Sequence, residues 1–152
     1  MSLELKIPPP LILVLIALGM WGLSRVMPVV AVTGNVHRWA AVLLVLLGAA
    51  FSVAGVLAFR RAQTTVNPLR PETSAVLVTG GVYRLTRNPM YAGMLLVLVG
   101  WAIWLHSGWA LVGPLAFGLY ITRFQIAPEE RALQRIFGQQ FASYCLRVRR
   151  WL

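Results

Sequence analysis

Between Arg38 and the pair Arg60-Arg61 runs WAAVLLVLLGAAFSVAGVLAF, residues 39–59, a stretch of 21 residues without a charge. Coiled as an α-helix at about 1.5 Å per residue it measures roughly 30 Å, the thickness of a bilayer's hydrocarbon core. That one segment sets the fold class, because an uncharged run this long is a membrane span rather than a core helix.

Working outward, three more apolar runs lie on either side. Toward the N-terminus, residues 7–24 are uncharged, interrupted by Arg25 and closed by Pro28. Toward the C-terminus, Pro89–Leu105 and Ser107–Thr122 are separated only by His106, which predicts a tight helical hairpin, with Pro114 kinking the second arm. The first run reads as a retained anchor rather than a signal peptide: its leading residues, Met1 to Lys6, carry no net positive charge, and no small-x-small cleavage site follows. The whole chain agrees. Of its 152 residues 59% are hydrophobic and 12% charged, against roughly 25% charged in soluble domains. A soluble fold and a disordered chain are both excluded. The expected architecture is therefore all-α: about four transmembrane helices and a C-terminal amphipathic interfacial helix. Residues 1–152 form one membrane domain, with two N-terminal spans in 1–59 and a polar-loop, hairpin and tail unit in 60–152.

The charge balance, fourteen Lys+Arg against four Asp+Glu, gives a formal +10. In a soluble chain this would point to nucleic acid. Here the arginines flank apolar runs, so anionic headgroups and the positive-inside rule explain them better. With the N-terminus inside and four spans, twelve basic residues face one side and only Arg25 and Arg38 the other. This predicts a bacterial inner-membrane protein with both termini cytoplasmic, so that the 60–88 loop and the tail meet on one side. From Pro128 onward Leu133, Ile136, Phe137, Phe141, Tyr144, Cys145 and Val148 recur at three- and four-residue spacing. That pattern is an interfacial helix started by Pro128 and Glu129-Glu130, bent at Gly138 and anchored by Trp151. In the second span Gly48, Ser52 and Gly55 form a small-residue seam, read as packing within the chain in preference to dimerisation.

Several function classes fall away. The chain has no Asp and a single cysteine, Cys145, so Ser-His-Asp catalysis, Asp-held metals and cysteine clusters lack their parts. All four acidic residues, Glu4, Glu72, Glu129 and Glu130, lie outside the apolar runs, which argues against a proton-coupled transporter. His37 and His106 are isolated at span ends, and no metal is assigned.

Polar information is dense in two places: Thr79-Gly80-Gly81-Val82-Tyr83-Arg84-Leu85-Thr86-Arg87-Asn88-Pro89-Met90-Tyr91-Ala92-Gly93, and Arg123 through Tyr144. The first resembles the T-x-G-x-Y-x-x-x-R-H-P-x-Y-x-G signature of the isoprenylcysteine carboxyl methyltransferases and the related phospholipid methyltransferases. The second, with Glu129, Glu130, Leu133, Phe137, Gly138, Phe141, Tyr144 and Val148, is similar to that family's E-E-x-x-L-x-x-x-F-G-x-x-Y-x-x-Y-x-x-x-V. Both occur in order across residues 60–151 with the apolar hairpin between them. Asn88 stands where many members have His, and Phe141 replaces a Tyr. Before residue 60 only the presence of two spans fits.

The resemblance implies a membrane methyltransferase using S-adenosylmethionine. Its cofactor contacts, carried over by position, are Ala75, Val76, Leu77, Val78, Tyr83, Arg87, Asn88, Pro89, Met90, Tyr91 and Glu129. Arg123 and Glu130 take the catalytic positions, with Gln125 the alternative to Arg123 against the acceptor. The implied acceptor is a small lipophilic molecule, a carboxylate or thiol of isoprenoid type. The alternatives are a phospholipid amine, or a non-enzymatic scaffold that keeps the fold. The chemistry of the residues is compatible with this: arginine pairs with carboxylates, glutamate accepts from ammonium and hydroxyl groups, and tyrosines pack on purines. A polar donor from water and a lipophilic acceptor from the bilayer would meet at the inner end of the hairpin.

Overall fold

The computed structural model describes residues 4–27, 35–63 and 76–152. Among them every regular element is helical: α1 (Pro9–Val26), α2 (Val36–Arg61), a 3-10 turn (Gly81–Arg84), α3 (Pro89–Trp104), a second 3-10 turn (Gly108–Leu111), α4 (Val112–Ile121), one wide π-type turn (Thr122–Ile126), α5 (Ala127–Phe137) and α6 (Gln139–Arg147). Prolines start α1 and α3, where a missing N–H costs nothing and the fixed φ favours the helix. Three helical rods are long and apolar enough to cross a membrane: α1, α2 and the continuous run Gly108–Phe137, while α3 is apolar but has 16 residues. The protein is an all-α membrane protein.

Two boundaries differ from the sequence reading. The last span and the start of the amphipathic tail are not separate helices; α4 passes into α5 through the π-type turn within the 30-residue run Gly108–Phe137. Pro114 falls in the first turn of α4 and ends no helix, because the hydrogen bond it lacks is missing there anyway. Pro128 explains the wide turn. Its ring would crowd the preceding backbone and it has no N–H to offer the Phe124 carbonyl, so the helix widens just before it. The stranded Phe124 carbonyl is taken instead by the Leu5 N–H at 3.0 Å. Gln125 Nε2 donates to the Ile7 carbonyl at 2.8 Å, and Glu4 pairs with Arg123 and Arg131 at 3.0 and 2.6 Å. The segment before α1 is thereby strapped across the turn, and the two guanidiniums hold the Glu4 carboxyl below the usual carboxylate range.

The bundle's core is apolar: Leu98 and Ala102 of α3 meet Phe117 and Ile121 of α4, Ile126 of the wide turn, and Ile12 and Met20 of α1. Leu43, Leu46, Leu47 and Val53 of α2 stay exposed, as suits a lipid-facing side. The small-residue seam packs within the chain, against α3. A Cβ on Gly48 would lie 2.5 Å from the Gly93 carbonyl oxygen, one on Gly55 2.7 Å from Met90, and one on Gly100 2.8 Å from the Ala41 carbonyl. Ser52 Oγ closes the seam by donating to the Met90 carbonyl at 3.2 Å. In lipid, helix association depends on this close packing rather than on a solvent-driven term. At the other end of α5, Gly138 breaks the helix with φ +47°, turning α6 back so that Phe141, Tyr144 and Val148 form a second apolar cluster with Leu77 and Leu133.

Thus α2 ends, α3 begins, and α5, α6 and the N-terminal strap all gather at one end of the bundle. Arg25, Arg38 and His106 lie at the element ends that point the opposite way. Gly93→Ala is expected to lower the midpoint of thermal unfolding in detergent, with overpacking costing about 1–3 kcal/mol. Gly118→Ala, where a Cβ meets nothing within 4 Å, is expected to leave it unchanged. Equal midpoints for the two variants would contradict the packing.

Candidate active site

At that gathered end lies a cavity between the 76–91 segment, the last turns of α2, and helices α5 and α6. The 76–91 segment supplies Val76, Leu77, Val78 and Tyr83 before α3, then Arg87 and Asn88, then Met90 and Tyr91 on the first turn of α3. Opposite stand Glu129 and Glu130 of α5. Four lining side chains were outside the sequence-derived set: Phe59, Leu133, Phe141 and Tyr144. Phe59 closes an apolar run and carries no signal of its own. Leu133, Phe141 and Tyr144 sit on the apolar stripe of the tail, which marked a buried face without saying what it faced.

Tyr91 Oη donates to Glu129 Oε1 at 2.5 Å. Glu130, next in sequence, is held quite differently. Arg87 Nη2 reaches its Oε1 at 2.8 Å, while Arg150 takes both oxygens, Nη2 to Oε2 at 2.5 Å and Nε to Oε1 at 3.2 Å. The C-terminal segment is stitched to the loop by backbone as well. Arg87 N–H donates to the Arg149 carbonyl, and the Arg150 carbonyl accepts from Thr86 Oγ1 at 3.1 Å and Asn88 Nδ2 at 2.9 Å. Tyr144 Oη donates to the Tyr83 carbonyl at 2.7 Å and fixes the 3-10 turn on α6. Burial pushes the Tyr83 and Tyr144 hydroxyls well above the usual tyrosine range, so both remain neutral donors. Tyr83 Oη and Arg87 Nε are buried with no partner among the described residues.

The structure separates the sequence-derived residues into three groups. Val76, Leu77, Val78, Tyr83, Arg87, Asn88, Met90, Tyr91 and Glu129 come together around the cavity. Pro89 is buried at the start of α3 beside Gly55 and does not line it, and Ala75 lies outside the described residues. Arg123 and Glu130 depart from their expected places. Arg123 is 63% exposed, pairs with Glu4 and is not part of the cavity wall, because the wide turn rotates it away. Glu130 lines the cavity, but both its oxygens are committed to guanidiniums. Gln125, the alternative to Arg123, is fully buried on the Ile7 carbonyl. Elsewhere, His37 and His106, distant in sequence, stack edge to face with ring centroids 4.1 Å apart, and no group of three metal-ligating side chains occurs among the described residues.

An all-helical membrane fold with a largely apolar cavity at one end, edged by a few polar side chains, defines the class. The chain belongs to the phospholipid methyltransferase family, whose model matches residues 36–140, from the start of α2 into α6. It is similar to protein-S-isoprenylcysteine O-methyltransferase B of Arabidopsis thaliana, 32% identical over 108 residues, 69% of this chain and 53% of that protein. A probable protein-S-isoprenylcysteine O-methyltransferase of Oryza sativa subsp. indica is 33% identical over 108 residues, 69% of this chain and 55% of its own. An uncharacterized protein of Haemophilus influenzae is 44% identical over 63 residues, 41% of this chain and the whole of that protein. The chain thus spans about half the length of the plant relatives. No solved structure matches it.

Glu130→Ala is expected to lower unfolding free energy by about 2 kcal/mol, the scale of a charge-assisted hydrogen-bond set. Arg150→Ala, at a side chain 41% exposed, is expected to cost less. Thermal unfolding, with limited proteolysis of residues 148–152 as a second readout, measures both; a Glu130→Ala protein as stable and protected as the parent would contradict the clasp.

Proposed function

We propose that the protein transfers a methyl group from S-adenosylmethionine to a small lipophilic acceptor at the cytoplasmic face of the membrane. The observation that carries this is electrostatic. In a chain of net +10, the cavity holds one carboxyl group, Glu129, that among the described residues has no guanidinium partner and is hydrogen-bonded to a tyrosine hydroxyl. A cationic ligand suits such a group; an anionic one does not. The two buried orphan donors, Tyr83 Oη and Arg87 Nε, supply hydrogen bonds of the other polarity.

S-adenosylmethionine, when bound, provides an electrophilic methyl on a cationic sulfur. Glu129 would accept from its ammonium or ribose hydroxyls, oriented by Tyr91. Phe59 and Tyr83, edge to face at 5.4 Å, offer aromatic surface for adenine. Leu77, Met90 and Leu133 keep the cavity dry, which favours a reaction in which an anion meets a cation and charge disappears. Asn88 has its amide on the Arg150 carbonyl and takes no part in proton transfer. A carboxylate or thiolate acceptor needs no base, so positioning and exclusion of water do the work. A phospholipid amine would instead have to give its proton to Glu129. Free space in the cavity is about 80 Å³, against several hundred Å³ in pockets that hold whole ligands, so binding requires the cavity lining to open.

The cytoplasmic assignment rests on charge. Among the described residues Arg60, Arg61, Arg84 and Arg87 collect with the tail arginines at the cavity end, and only Arg25 and Arg38 mark the far end, the asymmetry that orients membrane proteins. Isothermal calorimetry on purified protein is expected to detect S-adenosylmethionine binding, weakened about tenfold or more by Glu129→Ala and several-fold by Tyr91→Phe. Cells fed isotopically labelled methionine are expected to show a labelled lipophilic product only when the protein is present. An absence of binding at millimolar concentration would favour the non-enzymatic scaffold.

A further inference from the structure

A second concavity lies outside the cavity just described and shares no lining residue with it. It is an open groove of about 770 Å³ on the outer face of the α3–α4 hairpin. Its sides are Leu95 and Val99 of α3 and Leu115 and Leu119 of α4, and its floor is cut by small residues, Gly118 and Ala127. Gly118 accounts for the depth: a side chain there would project into space empty of protein, since a Cβ meets nothing within 4 Å. At the inner end stand Arg123, Arg150 and Trp151.

The charges around that end are unbalanced. Arg123 and Arg131 share the single carboxylate of Glu4, and Arg87 and Arg150 share that of Glu130. Four guanidiniums thus face two carboxylates, and the side chains of Arg123 and Arg150 remain 63% and 41% exposed. An apolar groove leading to a net positive mouth has the polarity of an anionic phospholipid.

We propose that this groove is a seat for one anionic phospholipid, its acyl chain lying between Leu95, Val99, Leu115 and Leu119 and its phosphate held by Arg123 and Arg150. It is separate from the methyl-transfer site and does not depend on that reading. Glu130 and Arg150 form the partition: Glu130 lines the first cavity, Arg150 the groove, and the lipid phosphate competes with Glu130 for the same guanidinium.

Trp151 reports occupancy directly. In nanodiscs, phosphatidylglycerol brominated near the head of its acyl chain is expected to quench Trp151 emission, taken as the difference from Trp151→Phe. Brominated phosphatidylcholine at the same mole fraction is expected to quench it less. Arg123→Gln and Arg150→Gln are each expected to cut the preference about fivefold, the effect of one basic residue at an anionic surface. Arg123 is exposed, so its variant leaves the fold intact even where Arg150→Gln loosens the clasp. Gly118→Leu is expected to remove quenching by filling the channel. Equal quenching by the two lipids, a preference that survives both arginine variants, or quenching that survives Gly118→Leu would each overturn the proposal. S-adenosylmethionine binding, measured on the same preparations, tests the other reading separately.

Discussion

The Glu130 carboxylate is the joint on which the polar end of this molecule depends. Two arginines from distant parts of the chain, Arg87 ahead of α3 and Arg150 near the C-terminus, close on it from either side. Neither could be left alone at the edge of a low-dielectric bundle, and one carboxylate satisfies both. With that pairing in place, the backbone bonds from Arg87, Thr86 and Asn88 to residues 149 and 150 follow, and the 76–91 segment becomes a fixed wall. Two adjacent glutamates in one helical turn consequently have opposite roles. Glu130 is neutralised and holds structure, while Glu129 makes no ion pair among the described residues and is hydrogen-bonded to Tyr91.

The apolar part of the bundle follows a different constraint. Between α2 and α3 the backbones approach until Gly48, Gly93 and Gly100 admit no side chain. This fixes where α3 begins relative to the end of α2, and so sets Phe59 against Tyr83 across the cavity. The contact that positions the site thus lies partly within the membrane and partly in a cluster of charges at its surface.

Much of this was legible in the sequence because the relevant signals are local. Uncharged runs of bilayer length, prolines at helix starts and a glycine at 138 each act through neighbouring residues. The loop and tail motifs together also placed Tyr83, Arg87, Asn88, Tyr91 and Glu129 in one group, and they meet. What escaped was combinatorial. Three arginines crowd the C-terminus, and nothing local distinguishes Arg150, which reaches Glu130, from Arg147 and Arg149. Arg123 looked suited to a site because it precedes the paired glutamates. Its direction is instead set by a helical defect whose cause is Pro128, and that defect presents it to Glu4. Phe59 was hidden for another reason: an aromatic ring at the end of an apolar run looks the same whether it meets lipid or a cavity.

The wide turn before Pro128 has a mechanical aspect as well. Because α4 and α5 belong to one continuous run of 30 residues, Gly108–Phe137, about 45 Å long, the segment immersed in lipid and the one bearing Glu129 move as a lever. Hydrocarbon thickness governs how far such a rod leans from the bilayer normal. A thicker or thinner membrane therefore bears on the position of Glu129 relative to Tyr91, through the turn where Leu5 is tethered.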